Sequence, residues 1–165
     1  MTNRILKVFV LLVCGVSMGC ASGAVSALKD IDRTSALWHG QWESDQYPGW
    51  HGTVAIRIPE NLTIGQEVDV PVAVGYSPDS TLRPGKIYVA RFKGVLVNSR
   101  SGRGRYDPAT PQRPVDLSRL ELSIVEGTYD IPETFSITFN DAMNMAKGYW
   151  KTSKGNRGTF TLKRD

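Results

Sequence analysis

Between Val68 and Tyr76 every second residue is large and apolar: Val68, Val70, Val72, Val74 and Tyr76 alternate with Asp69, Pro71, Ala73 and Gly75. Side chains of an extended chain point alternately to opposite faces, so a two-residue period commits this stretch to a strand with one buried face. The same period recurs in Val54, Ile56 and Ile58, in Leu120, Leu122 and Ile124, and in Phe135, Ile137 and Phe139. Strands are expected over 37–44, 51–58, 67–76, 86–98, 117–126, 133–140, 144–151 and 157–163. Pro-Gly, Pro-Asp and Asn-Asp pairs punctuate the gaps, and no amphipathic helical stretch longer than a turn or two intervenes. Pro71 marks its strand as an edge or a bulge, because proline has no N–H for a ladder. Eight strands with short connections describe an all-β antiparallel meander. It either closes into a barrel, which removes exposed edges, or splits into a two-sheet sandwich.

Ahead of the strands lies a different kind of segment. Arg4 and Lys7 precede an apolar run over Val8–Val13, and Gly15, Ser17 and Gly19 close it with small residues. This is the layout of a secretory signal peptide, and the run is too short for a permanent span, which needs roughly 20 apolar residues. Val16-Ser17-Met18-Gly19-Cys20 resembles a bacterial lipobox at Gly19 and Cys20, and departs from it at Ser17 and Met18. The resemblance implies removal of residues 1–19, lipidation of Cys20 and attachment to the bacterial cell envelope. Ala21 and Ser22 follow the cysteine without an aspartate, which implies the outer membrane facing the periplasm. Residues 20–36 are then the lipidated cysteine and a tether, with at most a short helix near 27–34. A single β domain fills 37–165.

Cysteine usage agrees with that layout. Cys14 leaves with the signal and Cys20 takes the lipid, so no disulfide remains and stability must come from an apolar core. Loss of Arg4 and Lys7 lowers the formal charge from +4 to +2, so the basic pI is no argument for nucleic acid.

Leu37-Trp38-His39-Gly40-Gln41-Trp42 resembles the Gly-x-Trp first strand of calycin-type barrels, the group of lipocalins and avidin-like proteins. Gly158 to Arg164 resembles their closing strand with its terminal basic residue. The resemblance favours the barrel over the sandwich. It also implies that Trp42 plugs one end beneath a cation from the last strand, Arg164 or Lys163, an arrangement supported by cation–π attraction.

Chemistry is sparse. His39 and His51 are the two histidines. In a hairpin over 37–58, His51 falls opposite Ser44, about 17 Å along the ladder from His39 at ~3.4 Å per residue. One zinc needs its ligand nitrogens within ~2.1 Å, so no shared metal is expected, and no other cofactor is implied. Once residues 1–19 are removed and Cys20 is lipidated, no Gly-x-Ser-x-Gly, no His-Glu-x-x-His and no cysteine nucleophile is left. Glu43 and Asp45, beside aromatic residues, are the carboxylates to consider for acid–base work on glycans.

Two loops carry the remaining signal. Tyr47-Pro48-Gly49 has turn chemistry, so Tyr47 and Trp50 are displayed near a tip for contact with a ligand or partner, or Trp50 folds back as a plug. Asn98 to Val115 holds Arg100, Arg103, Arg105 and Arg113 among glycines and prolines. Such guanidinium groups either clamp an anion, lipid headgroup or acidic glycan, or serve as solvated charge. Lys147, Lys151, Lys154 and Arg157 gather around an expected hairpin at 153–156.

The leading functional expectation is a lipid-anchored, non-catalytic envelope protein holding a small apolar or amphiphilic ligand in its barrel. A protein-interaction or structural lipoprotein, or a periplasmic enzyme inhibitor, is the alternative. A glycan-active enzyme using Glu43 and Asp45 is the third.

Overall fold

The computed structural model describes residues 18–99, 117–127, 131–140 and 142–165. A helix, α1 (Met18–Leu28), precedes β1 (Ala36–Ser44), β2 (His51–Ile58), β3 (Glu67–Tyr76) and β4 (Ile87–Ser99). β5 (Leu117–Glu126), β6 (Thr134–Phe139), β7 (Met145–Lys151) and β8 (Arg157–Arg164) complete the chain. Each strand pairs antiparallel with its sequence neighbours, and β1 pairs with β8, so the meander closes into a barrel. The sandwich is excluded by that last ladder.

The alternating apolar residues converge inside. Trp38, Ile56, Val72, Phe92, Leu122, Phe135 and Leu162 are all essentially removed from solvent. At mid-height Phe135 meets Phe92 and Phe160 edge to face, with ring centroids 5.2 and 5.5 Å apart. Edge-to-face pairs contribute about 0.5–1.5 kcal/mol beyond their burial. An eight-stranded barrel is either filled by its own side chains or holds one small ligand. Here the middle is filled.

So tight a cylinder needs strands that bend sharply, and glycine supplies the corners. At Gly40 on β1 a Cβ would collide with the backbone oxygen of Thr161 on β8; at Gly148 on β7 it would meet that of Ser136 on β6. Pro71 marks neither an edge nor a bulge. It lies just beyond the last β2–β3 pair, Ile56 with Val72, so its missing N–H interrupts no ladder on that side. The one register shift in the β4–β5 ladder falls between Arg91 and Phe92 instead.

The segment expected as a tether is largely helical, and its helix lies at 18–28 rather than near 27–34. Ala24 and Leu28, one turn apart, are buried against Leu37, Ala55 and Ala73 on the outer wall of β1–β3. Alanines at 55 and 73 keep that wall low enough for a helix to approach, which is why β2 is buried on both faces. Arg57 fixes the helix end. Its guanidinium donates to the carbonyls of Leu28, Lys29 and Ser35 at 3.2, 3.0 and 3.0 Å, satisfying groups that a helix C-terminus otherwise leaves unpaired. Arg57→Met is expected to cost about 2–3 kcal/mol, because bonds from a charged donor and its buried carbonyl partners are lost together. Urea unfolding measures this; a loss below about 0.5 kcal/mol, the usual surface value, would show that α1 is held without Arg57.

Candidate functional site

One end of the barrel gathers aromatic residues, and the loops 45–50 and 77–86 form its rim. In the first loop the Trp50 amide donates to the Tyr47 carbonyl at 3.0 Å, and Gly49 takes the left-handed conformation (φ 93°) that this tight turn requires. The turn stacks the two rings, with centroids 4.1 Å apart and planes 22° from parallel. Tyr47 is 43 % exposed, whereas Trp50 is half-buried and rests on the core.

The second loop braces the first. The Thr81 amide donates to the Gly49 carbonyl and the Ser77 amide to the His51 carbonyl, both at 3.0 Å. His51 Nε2 lies 3.1 Å from Asp79 Oδ1. Hydrogen bonds from the Ser77 hydroxyl and the Asp79 backbone, then from His51, hold the Asp79 carboxyl below its ordinary value of 3.8. Because folding lowers this pKa, the clasp contributes fully above about pH 3.8 and is lost as the pH falls through the lower folded value. Trp50 emission is therefore expected to change below pH 3.8 in the wild type, and Asp79→Asn to show the changed emission already at neutral pH. Identical emission in both proteins at pH 7 would show that the clasp does not order the loop.

Beneath the rim Trp42 is 5 % exposed. Its indole N–H donates to the Gly75 carbonyl at 3.0 Å, and its ring meets Tyr76 and Trp150 edge to face at 5.1 and 5.7 Å. Trp150 in turn donates to the Glu43 carbonyl at 3.1 Å. Tyr88, half-buried, continues the cluster from Tyr76 at 6.0 Å. Arg83 donates to the Tyr88 hydroxyl at 2.8 Å, and its guanidinium carbon lies 5.7 Å from that ring's centre. The Arg83–Tyr88 pair was not read from the sequence; a β3–β4 connection with Pro84-Gly85 and an arginine five residues before a tyrosine was the available signal.

The implied pairing of Trp42 with Arg164 is not what the barrel makes. On the β1–β8 ladder Trp42 lies opposite Phe160, and Arg164 lies opposite Trp38 at the other end. Arg164 bonds Glu60 at 2.5 Å instead. Lys163 faces His39 across the same ladder, three residues from the Trp42–Phe160 pair. The two histidines also remain apart. His51 pairs with Glu43 rather than Ser44, about four residues or 14 Å from His39. Each has its own carboxylate, and His39 Nε2 lies 2.7 Å from Asp165 Oδ1. No cluster of three or more metal-ligating side chains occurs among the described residues.

Glu43 and Asp45 are both exposed, and the Asp45 carboxylate lies 4.0 Å from the Arg157 guanidinium. Cys20 lies in α1, one turn before Ala24. Arg100, Arg103 and Arg105 lie outside the described residues.

No protein-family model matches the chain, and no curated protein matches it in sequence. Among solved structures it is similar to a de novo designed fluorescence-activating β-barrel, with 15 % identity and a TM-score of 0.42. That match covers 79 % of this chain and 93 % of the designed one.

Proposed function

We propose that this protein is a lipid-anchored, non-catalytic binding protein of the bacterial envelope, taking a small amphiphilic ligand at its aromatic rim. The observation that carries the reading is the contrast between a filled interior and a half-open rim. Phe135 meets Phe92 and Phe160 in the middle of the barrel, so a ligand enclosed there would have to part these rings. Trp50, Leu82 and Tyr88 stay partly exposed where they pack on the core, with Tyr47 stacked outside them. Aromatic side chains with polar tips suit a ligand that is apolar at one end and wet at the other.

The anchor supports the same end. Gly23 of α1 abuts Ile87 at the start of β4, while Leu28 abuts Arg57 lower on β2. The helix therefore runs down the wall from the rim, and its first residues, Cys20 among them, belong to the rim end. A lipid on Cys20 would bring Tyr47 and Trp50 toward the membrane surface. Cys20→Ser is expected to release soluble protein or leave the precursor uncut; a mature N-terminus beyond Cys20 in the wild type would end the anchor reading.

Binding is tested separately with dodecylphosphocholine below its micellar concentration, followed by tryptophan emission. The wild type is expected to saturate, and Tyr47→Ala with Trp50→Ala to weaken binding at least about tenfold, since aromatic anchors dominate such contacts. Equal binding by the wild type and the double variant would remove the rim as the site.

A further inference from the structure

On the side of the barrel away from α1, β6, β7 and β8 contain no aspartate or glutamate. Their outward residues instead carry Lys147, Lys151, Arg157 and Lys163, all exposed. Register gathers them. Lys147, Tyr149 and Lys151 stand in one row on β7, opposite Thr161, Thr159 and Arg157 on β8. Tyr149, between the two lysines, is 67 % exposed.

Two features set this wall apart from ordinary solvated charge. Lys151 and Arg157 are direct cross-strand partners, and like charges placed opposite each other destabilise a sheet. Around Lys147, Lys151 and Lys163 no ion pair forms among the described residues, although carboxylates border the wall. Glu133 accepts instead from Ser153 at 2.5 Å, and Glu121 from Ser136 at 3.1 Å with Arg119 beside it. The three lysines are left directed outward, while Arg157 has the Asp45 carboxylate 4.0 Å away at the border of the wall. An anion lying between Lys151 and Arg157 would offset the cost of their opposition.

We propose that the β6–β8 wall binds a carboxylate-bearing polysaccharide laid along the strands. The row from Arg157 to Lys163 spans about 20 Å at ~3.4 Å per residue, and three strands give a track about 10 Å wide. Ammonium groups take single carboxylates as point charges. Thr138, Thr159 and Thr161 supply hydroxyls that pair with sugar hydroxyls, and the Tyr149 ring is the surface on which a sugar stacks. A convex wall of this kind touches a planar bilayer only along a line, and one exposed ring is a poor platform for successive nucleic-acid bases. This inference does not depend on the rim or on the anchor.

The test is titration calorimetry of the purified protein with polygalacturonate at low salt, with neutral dextran, a single-stranded oligonucleotide and phosphatidylglycerol vesicles as comparisons. Polygalacturonate is expected to bind, dextran not to bind, and affinity to fall steeply as salt screens the charges. Lys147→Gln, Lys151→Gln and Arg157→Gln combined should weaken polygalacturonate binding at least about tenfold, as charge-assisted contacts are lost. The melting temperature should hold or rise, because the Lys151–Arg157 opposition goes with them. Tyr149→Ala should weaken polygalacturonate binding and leave any residual oligonucleotide or vesicle binding unchanged. Lys93→Gln, on the β4 wall, should change nothing. Absence of polygalacturonate binding, a triple variant that binds it like wild type, or tighter binding of oligonucleotide or vesicles would each overturn the proposal.

Discussion

Trp42→Ala is expected to cost about 3–5 kcal/mol, the range for truncating a large buried aromatic. Trp50→Ala is expected to cost far less. The two indoles sit eight residues apart at the same end of the barrel, yet their surroundings differ. Trp42 is buried, bonded to the Gly75 carbonyl and wedged between Tyr76 and Trp150. Its removal empties space under the rim, leaves a carbonyl without its partner and takes two edge-to-face contacts with it. Trp50 already shows part of its ring to water and stacks on a residue that is itself exposed. Urea unfolding of both variants measures the difference. Equal destabilisation would mean that the 45–50 loop is packed as tightly as the core, and the rim would lose its case as a binding surface.

Gly40→Val is the second substitution with a large expected effect, about 3 kcal/mol, at the upper end for overpacking. Gly40 pairs with Val54 on β2 and Leu162 on β8. The added side chain would meet the Thr161 backbone oxygen rather than a movable side chain. The sheet can relieve that clash only by parting β1 from β8, the ladder that closes the barrel. Gln41→Val, one residue along on the exposed outer face, is the control and should stay within about 0.5 kcal/mol. A Gly40→Val protein that melts with the control would show that the strands need no glycine corner there.

The strands were legible because each shows one apolar face, and a two-residue period records that directly. Closure was less so. The β1–β8 ladder joins the two ends of the domain, and only the resemblance of residues 37–42 and 158–164 to calycin strands hinted at it. The same resemblance misplaced the cation, since the register sets Arg164 four residues from the Phe160–Trp42 pair. Helix α1 was hidden because Ser22, Gly23 and Ser26 are weak helix formers. It is held by tertiary contacts, above all Arg57, 29 positions along the chain from Leu28. The turn at Tyr47-Pro48-Gly49 was readable, but its brace at Ser77, Asp79 and Thr81 was not, because nothing local ties those residues to it. Alternation also reports which face is buried and not how much volume lies within. Phe92, Phe135 and Phe160 were visible as inward residues long before their mutual contact was.

That contact is the centre of the functional account, and one measurement addresses it directly. In a nuclear Overhauser spectrum of the purified protein with dodecylphosphocholine below its micellar concentration, ligand protons should show cross-peaks to the rings of Tyr47, Trp50 and Tyr88. The rings of Phe92, Phe135 and Phe160 should show cross-peaks to one another and none to the ligand. Cross-peaks from the acyl chain to those three phenylalanines would place the ligand inside the barrel and contradict the account.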